Sequence, residues 1–65
     1  MCLSNIYAEN EGERQLLFAN AATVKQEGNE LVCANILGIP NRIKGTIRYV
    51  DLMENIIIVD QKPEG

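Results

Sequence analysis

Histidine and tryptophan are absent from this chain, and its 65 residues include only two cysteines and three aromatics. Lack of histidine excludes a Ser-His-Asp or Cys-His nucleophilic arrangement, a mixed cysteine–histidine zinc site and imidazole acid–base catalysis. Two cysteines also fall short of the four soft ligands of a structural zinc site. No apolar run nears the roughly 20 residues that span a bilayer, so no membrane span is expected. Met1-Cys2-Leu3-Ser4 carries no basic region, so a signal peptide is not expected either. The sequence therefore reads as cytoplasmic, where thiols stay reduced and a cysteine points to metal or redox chemistry more than to a staple. Any transition-metal site here must draw on thiolate, backbone nitrogen, the terminal amine or ligands from a second chain.

A chain this short has room for one domain, assigned to residues 1–60, with 61–65 as a polar tail containing Pro63. Its core is marginal, because folding hides only about 60% of the surface exposed by so short an unfolded chain. Self-association is the expected support, since one intrachain disulfide at most is available and the cytosol disfavours it. The net charge is −3. Six dispersed cations, several flanked by carboxylates, make no basic footprint, which speaks against nucleic acid as a partner.

Alternation, β-branching and turn residues predict five β segments. The first covers 2–8 and is closed by Glu9-Asn10-Glu11-Gly12-Glu13. The second covers 15–26, with a bend near Asn20-Ala21-Ala22; a helical turn within 13–22 is the alternative, favoured by its Glu, Arg, Gln, Leu and Ala content. Glu27-Gly28-Asn29-Glu30 is a hairpin signal. The third strand covers 31–37 and is broken by Gly38-Ile39-Pro40-Asn41, which reads as a connection because proline donates no ladder bond. In the fourth, 43–52, Ile43, Gly45, Ile47 and Tyr49 are expected on one face and Lys44, Thr46 and Arg48 on the other. The last, Ile56-Ile57-Ile58-Val59, is apolar on both faces and should be covered on both. The expected fold is all-β: a small, SH3-like, partly open barrel of five to six short strands, too few for two full sheets. A free edge of that barrel is a natural place for a second copy to pair.

The chemistry concentrates at Cys2. With Met1 removed, Cys2 carries an amine and a thiol that chelate one metal in a five-membered ring. With Met1 retained, the terminal amine, the deprotonated Cys2 amide and the thiolate make two fused rings. Either donor set is planar and suits square-planar Ni(II), with copper the stronger binder in the general affinity order. A terminal Cys2 supplies two of four donors, so a two-fold axis near the start of the chain would complete the plane with a second Cys2. The bland alternative is a small buried hydrophobe.

Met1-Cys2-Leu3-Ser4, the segment Ile43-Lys44-Gly45-Thr46-Ile47-Arg48-Tyr49-Val50-Asp51-Leu52 and the apolar final strand together resemble the CooT family. The resemblance implies a homodimeric SH3-like barrel that is not an enzyme and binds one nickel ion per dimer through Cys2. It further implies an accessory role in nickel delivery to carbon monoxide dehydrogenase, with that enzyme or its maturation proteins as partners. The rival readings are a nucleic-acid-binding small barrel and a metal-free dimeric interaction module.

Other residues invite blander readings. Cys33, amid apolar neighbours, is expected in the core. Glu9, Glu11 and Glu13 lack the spacing of a calcium loop and read as a solvated hairpin tip. Asp51, Glu54 and Asp60 border a turn in a chain too small for a deep catalytic cleft. Met53 reads as a gap-filler rather than a soft ligand. Tyr7, Phe18 and Tyr49 read as core rather than as a base-stacking platform.

Overall fold

The structure, a computed structural model, describes residues 2–61. Seven strands form in the order β1 (Ser4–Asn10), β2 (Glu13–Ala21), β3 (Thr23–Glu27), β4 (Glu30–Ala34), β5 (Pro40–Lys44), β6 (Thr46–Asp51) and β7 (Ile56–Asp60). They make a four-stranded sheet ordered β2-β1-β7-β6 and a three-stranded sheet ordered β3-β4-β5. No helix forms among the described residues, so none there is long and apolar enough to cross a membrane. The all-β class is as expected, and the helical alternative at 13–22 gives way to β2. The tail beyond Gln61, with Pro63, lies outside the described residues.

Two sheets emerge where one curled sheet was expected, because the chain bends twice instead of ending its strands. Ala22 separates β2 from β3, and its N–H donates to Ala34 O at 2.7 Å, passing the chain from one sheet to the other. Gly45 separates β5 from β6 in the same manner, with its N–H donating to Asn29 O at 2.7 Å. Pro40, expected in a connection, begins β5, an edge strand where its missing donor does no harm. The strand expected over 31–37 stops at Ala34.

Turns follow local chemistry. Glu11 and Gly12 both take positive φ (51° and 82°), the signature of a type I′ hairpin between β1 and β2. In the β3–β4 hairpin only Gly28 has positive φ (60°), placing glycine at the first central position, as a II′ turn requires.

The core gathers from the facing sides of both sheets: Ile6, Ala21, Leu31, Cys33, Ile43, Ile57 and Val59, with Leu17, Phe18 and Val24 packed against it. Ile58 points away from this cluster yet is only 2% exposed. Its cross-strand neighbours are Tyr7 and Tyr49, so the final strand is covered on both faces as its sequence demanded.

The fourth predicted segment departs from simple alternation. Ile47 pairs with Val59 and Tyr49 with Ile58, with a register irregularity between them at Arg48. Ile47 therefore shares the face of core residue Val59, while Tyr49 lies on the opposite face and is 52% exposed. The extra residue of a bulge reverses the side-chain phase, which is why the single-face expectation fails. Tyr49 is accordingly not core, and Tyr7 is half-buried; Phe18 alone of the three aromatics packs against the core cluster.

Gly45 and Gln26 fasten the second bend. A Cβ on Gly45 would lie 2.5 Å from Val59 Cγ1 and 3.0 Å from Asp60 O, and its φ of +142° already disfavours a side chain. Gln26 Nε2 donates to the carbonyls of Gly28, Glu30 and Gly45 at 3.0–3.1 Å, and its Oε1 accepts from Ile47 N at 3.1 Å. One side chain thus ties the β3–β4 hairpin to the start of β6.

Cys33 is fully buried, and its Sγ donates to Asn41 O at 3.5 Å. Burial raises its pKa, partly offset by the hydrogen bond at Asn41. The thiol is thus favoured neutral in the fold, and the unfolded chain ionises first as pH rises.

Three outcomes follow. Gly45→Ala should lower unfolding free energy by about 2–4 kcal/mol in urea titration, from overpacking and backbone strain together. Gln26→Ala should cost about 1 kcal/mol, and Gln26→Glu more, because a carboxylate would then face three carbonyl oxygens. Stability contributed by neutral Cys33 is present below the ordinary thiol value of 9.0 and lost above it, so the advantage of wild type over Cys33→Val should shrink as pH passes that value.

Candidate functional site

The two cysteines occupy opposite environments. Cys33 lies in the core, while Cys2 is exposed, and neither is bridged. A buried thiol facing a carbonyl in an apolar core is inert, as expected for Cys33. Cys2 stands two residues before β1, where water and a metal ion can reach it.

The chain start is anchored on two sides. Ser4 pairs with Ala21 of β2, and Asn5 pairs with Ile56 of β7, the latter in parallel. Asn5 N donates to Asn55 O at 2.9 Å, and Asn5 Oδ1 accepts from Asn20 N at 3.0 Å. That last bond serves a residue in the left-handed region, since Asn20 has φ 60°. Side-chain capping of this kind suits asparagine, which tolerates positive φ better than most residues. Two residues beyond a strand so fixed, the Cys2 thiol has a short tether to a rigid base.

The parallel pairing of β1 with β7 also brings the β6–β7 turn to this end. Asp51 Oδ1 accepts from Met53 N and Glu54 N, each at 3.0 Å, and Asn55 closes the turn with φ 59°. Asp51 is therefore occupied in shaping backbone, not in acid–base chemistry. Met53 is 92% exposed, so it does not fill a gap in the core: the Asp51-templated turn holds it outward. Its exposure was invisible in the sequence, because composition does not say which way a turn residue points.

The acidic tip at Glu9, Glu11 and Glu13 lies at the other end of β1. Glu9 pairs with Arg14 at 3.3 Å and also with Arg48, reaching from β6. Arg42 bridges Glu27 at 3.3 Å and Glu30 at 3.1 Å on the second sheet. Glu27 is drawn below the usual carboxylate range by its hydrogen bond from Lys25, assisted by Arg42. Four of the five cations within the described residues are thus engaged by carboxylates.

Among the described residues, no three Cys, Asp or Glu side chains gather where they could hold a metal ion. The sequence-predicted candidates are dispersed accordingly: Cys2 alone at the chain start, Cys33 inside, and the carboxylates in ion pairs and turns. What this end offers chemically is one accessible thiol beside backbone nitrogens. A chelate of that type needs no side-chain cluster.

Comparison with solved structures finds the same fold in a candidate CooT from Carboxydothermus hydrogenoformans, with a TM-score of 0.82 at 19% identity, covering 95% of this chain and 100% of that one. No curated protein sequence matches. Residues 1–60 match the family described as CO dehydrogenase accessory protein CooT, a match that takes in Cys2 and every strand. On that match, the chain belongs to the CooT family of CO dehydrogenase accessory proteins.

Proposed function

We propose that this chain is a nickel-binding accessory protein that holds Ni(II) as cargo for delivery to CO dehydrogenase. The observation that carries the reading is the exposure of Cys2 beside the anchored start of β1, with Cys33 sealed in the core. In a chain with no histidine and with Cys33 buried, that thiolate is the accessible anionic soft donor. Together with the terminal amine or a backbone amide nitrogen, it makes a planar nitrogen–sulfur set, which suits square-planar Ni(II). One thiolate with one amine leaves two positions of the plane open. A second copy related by a two-fold axis fills them with the same pair, so the proposed species is one Ni(II) per homodimer.

Transfer of cargo requires a site that can be opened from outside. A thiolate at a chain terminus, outside the core, releases its metal to a competing ligand without unfolding the domain. The bends at Ala22 and Gly45, which carry β2 and β5 from one sheet into the other, support the finer description of the fold as an SH3-like, partly open barrel. The cytoplasm, where free thiols persist, is the proposed location.

The nucleic-acid reading gains nothing from this surface. Arg14, Lys25, Arg42 and Arg48 lie within ion-pair distance of carboxylates, and those pairs would have to be broken before phosphate could be gripped.

Titration of the reduced chain with Ni²⁺, followed by optical absorption and calorimetry, tests the proposal. A d–d band saturating at half an equivalent per chain is expected. Cys2→Ser should abolish it and Cys33→Ser should retain it; equal binding by both variants sinks the assignment. Because the metal displaces protons from thiol and amine or amide, the apparent affinity should fall steadily as pH is lowered.

A further inference from the structure

The side of the four-stranded sheet that faces away from the core carries an apolar row crossing all four strands. Tyr7 of β1 is paired with Leu16 of β2 and with Ile58 of β7, and Ile58 is paired with Tyr49 of β6. Register thus places Leu16, Tyr7, Ile58 and Tyr49 side by side, over about 14 Å at the usual strand spacing. Leu16 and Tyr49, at the two ends, are each 52% exposed. The solvated face of a sheet ordinarily carries polar residues at such positions.

Two irregularities of register create the row. Between β1 and β2, Ile6 pairs with Phe18 and Tyr7 with Leu16, so Leu17 is an extra residue. Without it Leu16 would fall on the core side, opposite Ala8. Between β6 and β7, the extra residue Arg48 acts in the same way on Tyr49, which would otherwise face inward opposite Ile57. Each bulge turns one large apolar side chain from the interior towards water, forgoing the stabilisation that burial would give. Two bulges that re-aim side chains into one row, from the two outer strands of the sheet, mark a contact surface.

Charge says what the surface fits. Glu9, two residues beyond Tyr7, pairs with Arg14 at 3.3 Å and with Arg48, so both cations of this sheet are neutralised along the edge of the row. Residues 4–21 and 46–60, the sheet with its two turns, carry six carboxylates (Glu9, Glu11, Glu13, Asp51, Glu54 and Asp60) against those two cations, a balance of −4. Residues 22–45, with the other sheet, carry Glu27 and Glu30 against Lys25, Arg42 and Lys44, a balance of +1. An acidic border repels phosphate, which disfavours nucleic acid stacked on the two tyrosines. It equally opposes a second copy, because a two-fold contact would set −4 against −4. Its complement is a different protein, apolar at the centre of its contact and rimmed with Lys and Arg.

We propose that this face docks the client enzyme, CO dehydrogenase, against an apolar patch with a basic rim. The choice of client rests on the delivery reading; the row, its two bulges and the charge balance stand without it. Position suits a handover. Cys2 lies five residues before Tyr7, no more than about 18 Å from it even with the chain fully extended. A standard contact takes about 800 Å² from each partner, so a metal at Cys2 stands near its margin.

Biolayer interferometry of the reduced chain on immobilised CO dehydrogenase tests the face. Binding should weaken roughly tenfold or more in Leu16→Lys and in Tyr49→Lys, which set positive charge against a basic rim. Both replace half-exposed side chains, so the circular dichroism spectrum should remain that of wild type. Lys25→Gln, on the three-stranded sheet, should bind as wild type does. Affinity should fall as salt is raised, and Glu13→Gln, at the acidic tip, should flatten that fall independently of the row variants. No binding, binding indifferent to both row variants, or binding insensitive to salt overturns the proposal. Nickel titration of the same samples separates the two ideas. A chain that docks through the row yet takes up no nickel defeats the cargo reading and leaves the face standing. Nickel uptake with docking that ignores the row does the reverse.

Discussion

The corner between the two sheets depends on a backbone approach at Gly45 so close that a Cβ there would run into Val59, Asp60 and Gln61. At that point β5 leaves the three-stranded sheet and β6 enters the four-stranded one, so the two apolar faces can meet with Val59 fully enclosed between them. A side chain at position 45 would push the corner off the final strand. Gln26 closes the same corner from the other side, accepting from Ile47 N two residues beyond Gly45. Gln61 Nε2 adds a bond to Lys44 O at 2.8 Å. A chain with so small a core thereby uses backbone contact and side-chain amides where larger domains use bulk.

Much of this was legible from residue pattern. Branched residues in alternation announced the strands, Gly28-Asn29 announced a hairpin, and Ile56-Ile57-Ile58-Val59 announced a strand hidden on both faces. The strand count and the sheet number were not legible. A continuous apolar pattern through Ala22 or Gly45 looks the same whether the strand runs on or turns a corner, because the difference lies in what the bend packs against. Tyr49 shows the same limit: its side is decided by one extra residue at Arg48, and a bulge leaves no period in the sequence.

The singling out of Cys2 as a candidate had a chemical reason. Without histidine, the number of ways to bind a transition metal is small enough that a cysteine beside the chain start stands out. The apolar neighbours of Cys33 in mid-strand then separated the two thiols, and in the fold Cys33 is buried alongside Leu31. Met53 was not legible as exposed. Its outward placement depends on Asp51 accepting backbone N–H bonds, a matter of three-dimensional turn geometry that hydrophobicity alone reads as core.

The parallel alignment of β1 with β7 has a consequence for biosynthesis. β1 is made first, yet one of its two hydrogen-bonding edges stays empty until Ile56–Asp60, near the other terminus, has been synthesised and has left the ribosome. The pairing spans almost the full chain, so it is among the slowest contacts to form. The β7 side of the foundation beneath Cys2 is consequently completed late, after the β2 side that Ser4 and Asn5 make with Ala21 and Asn20.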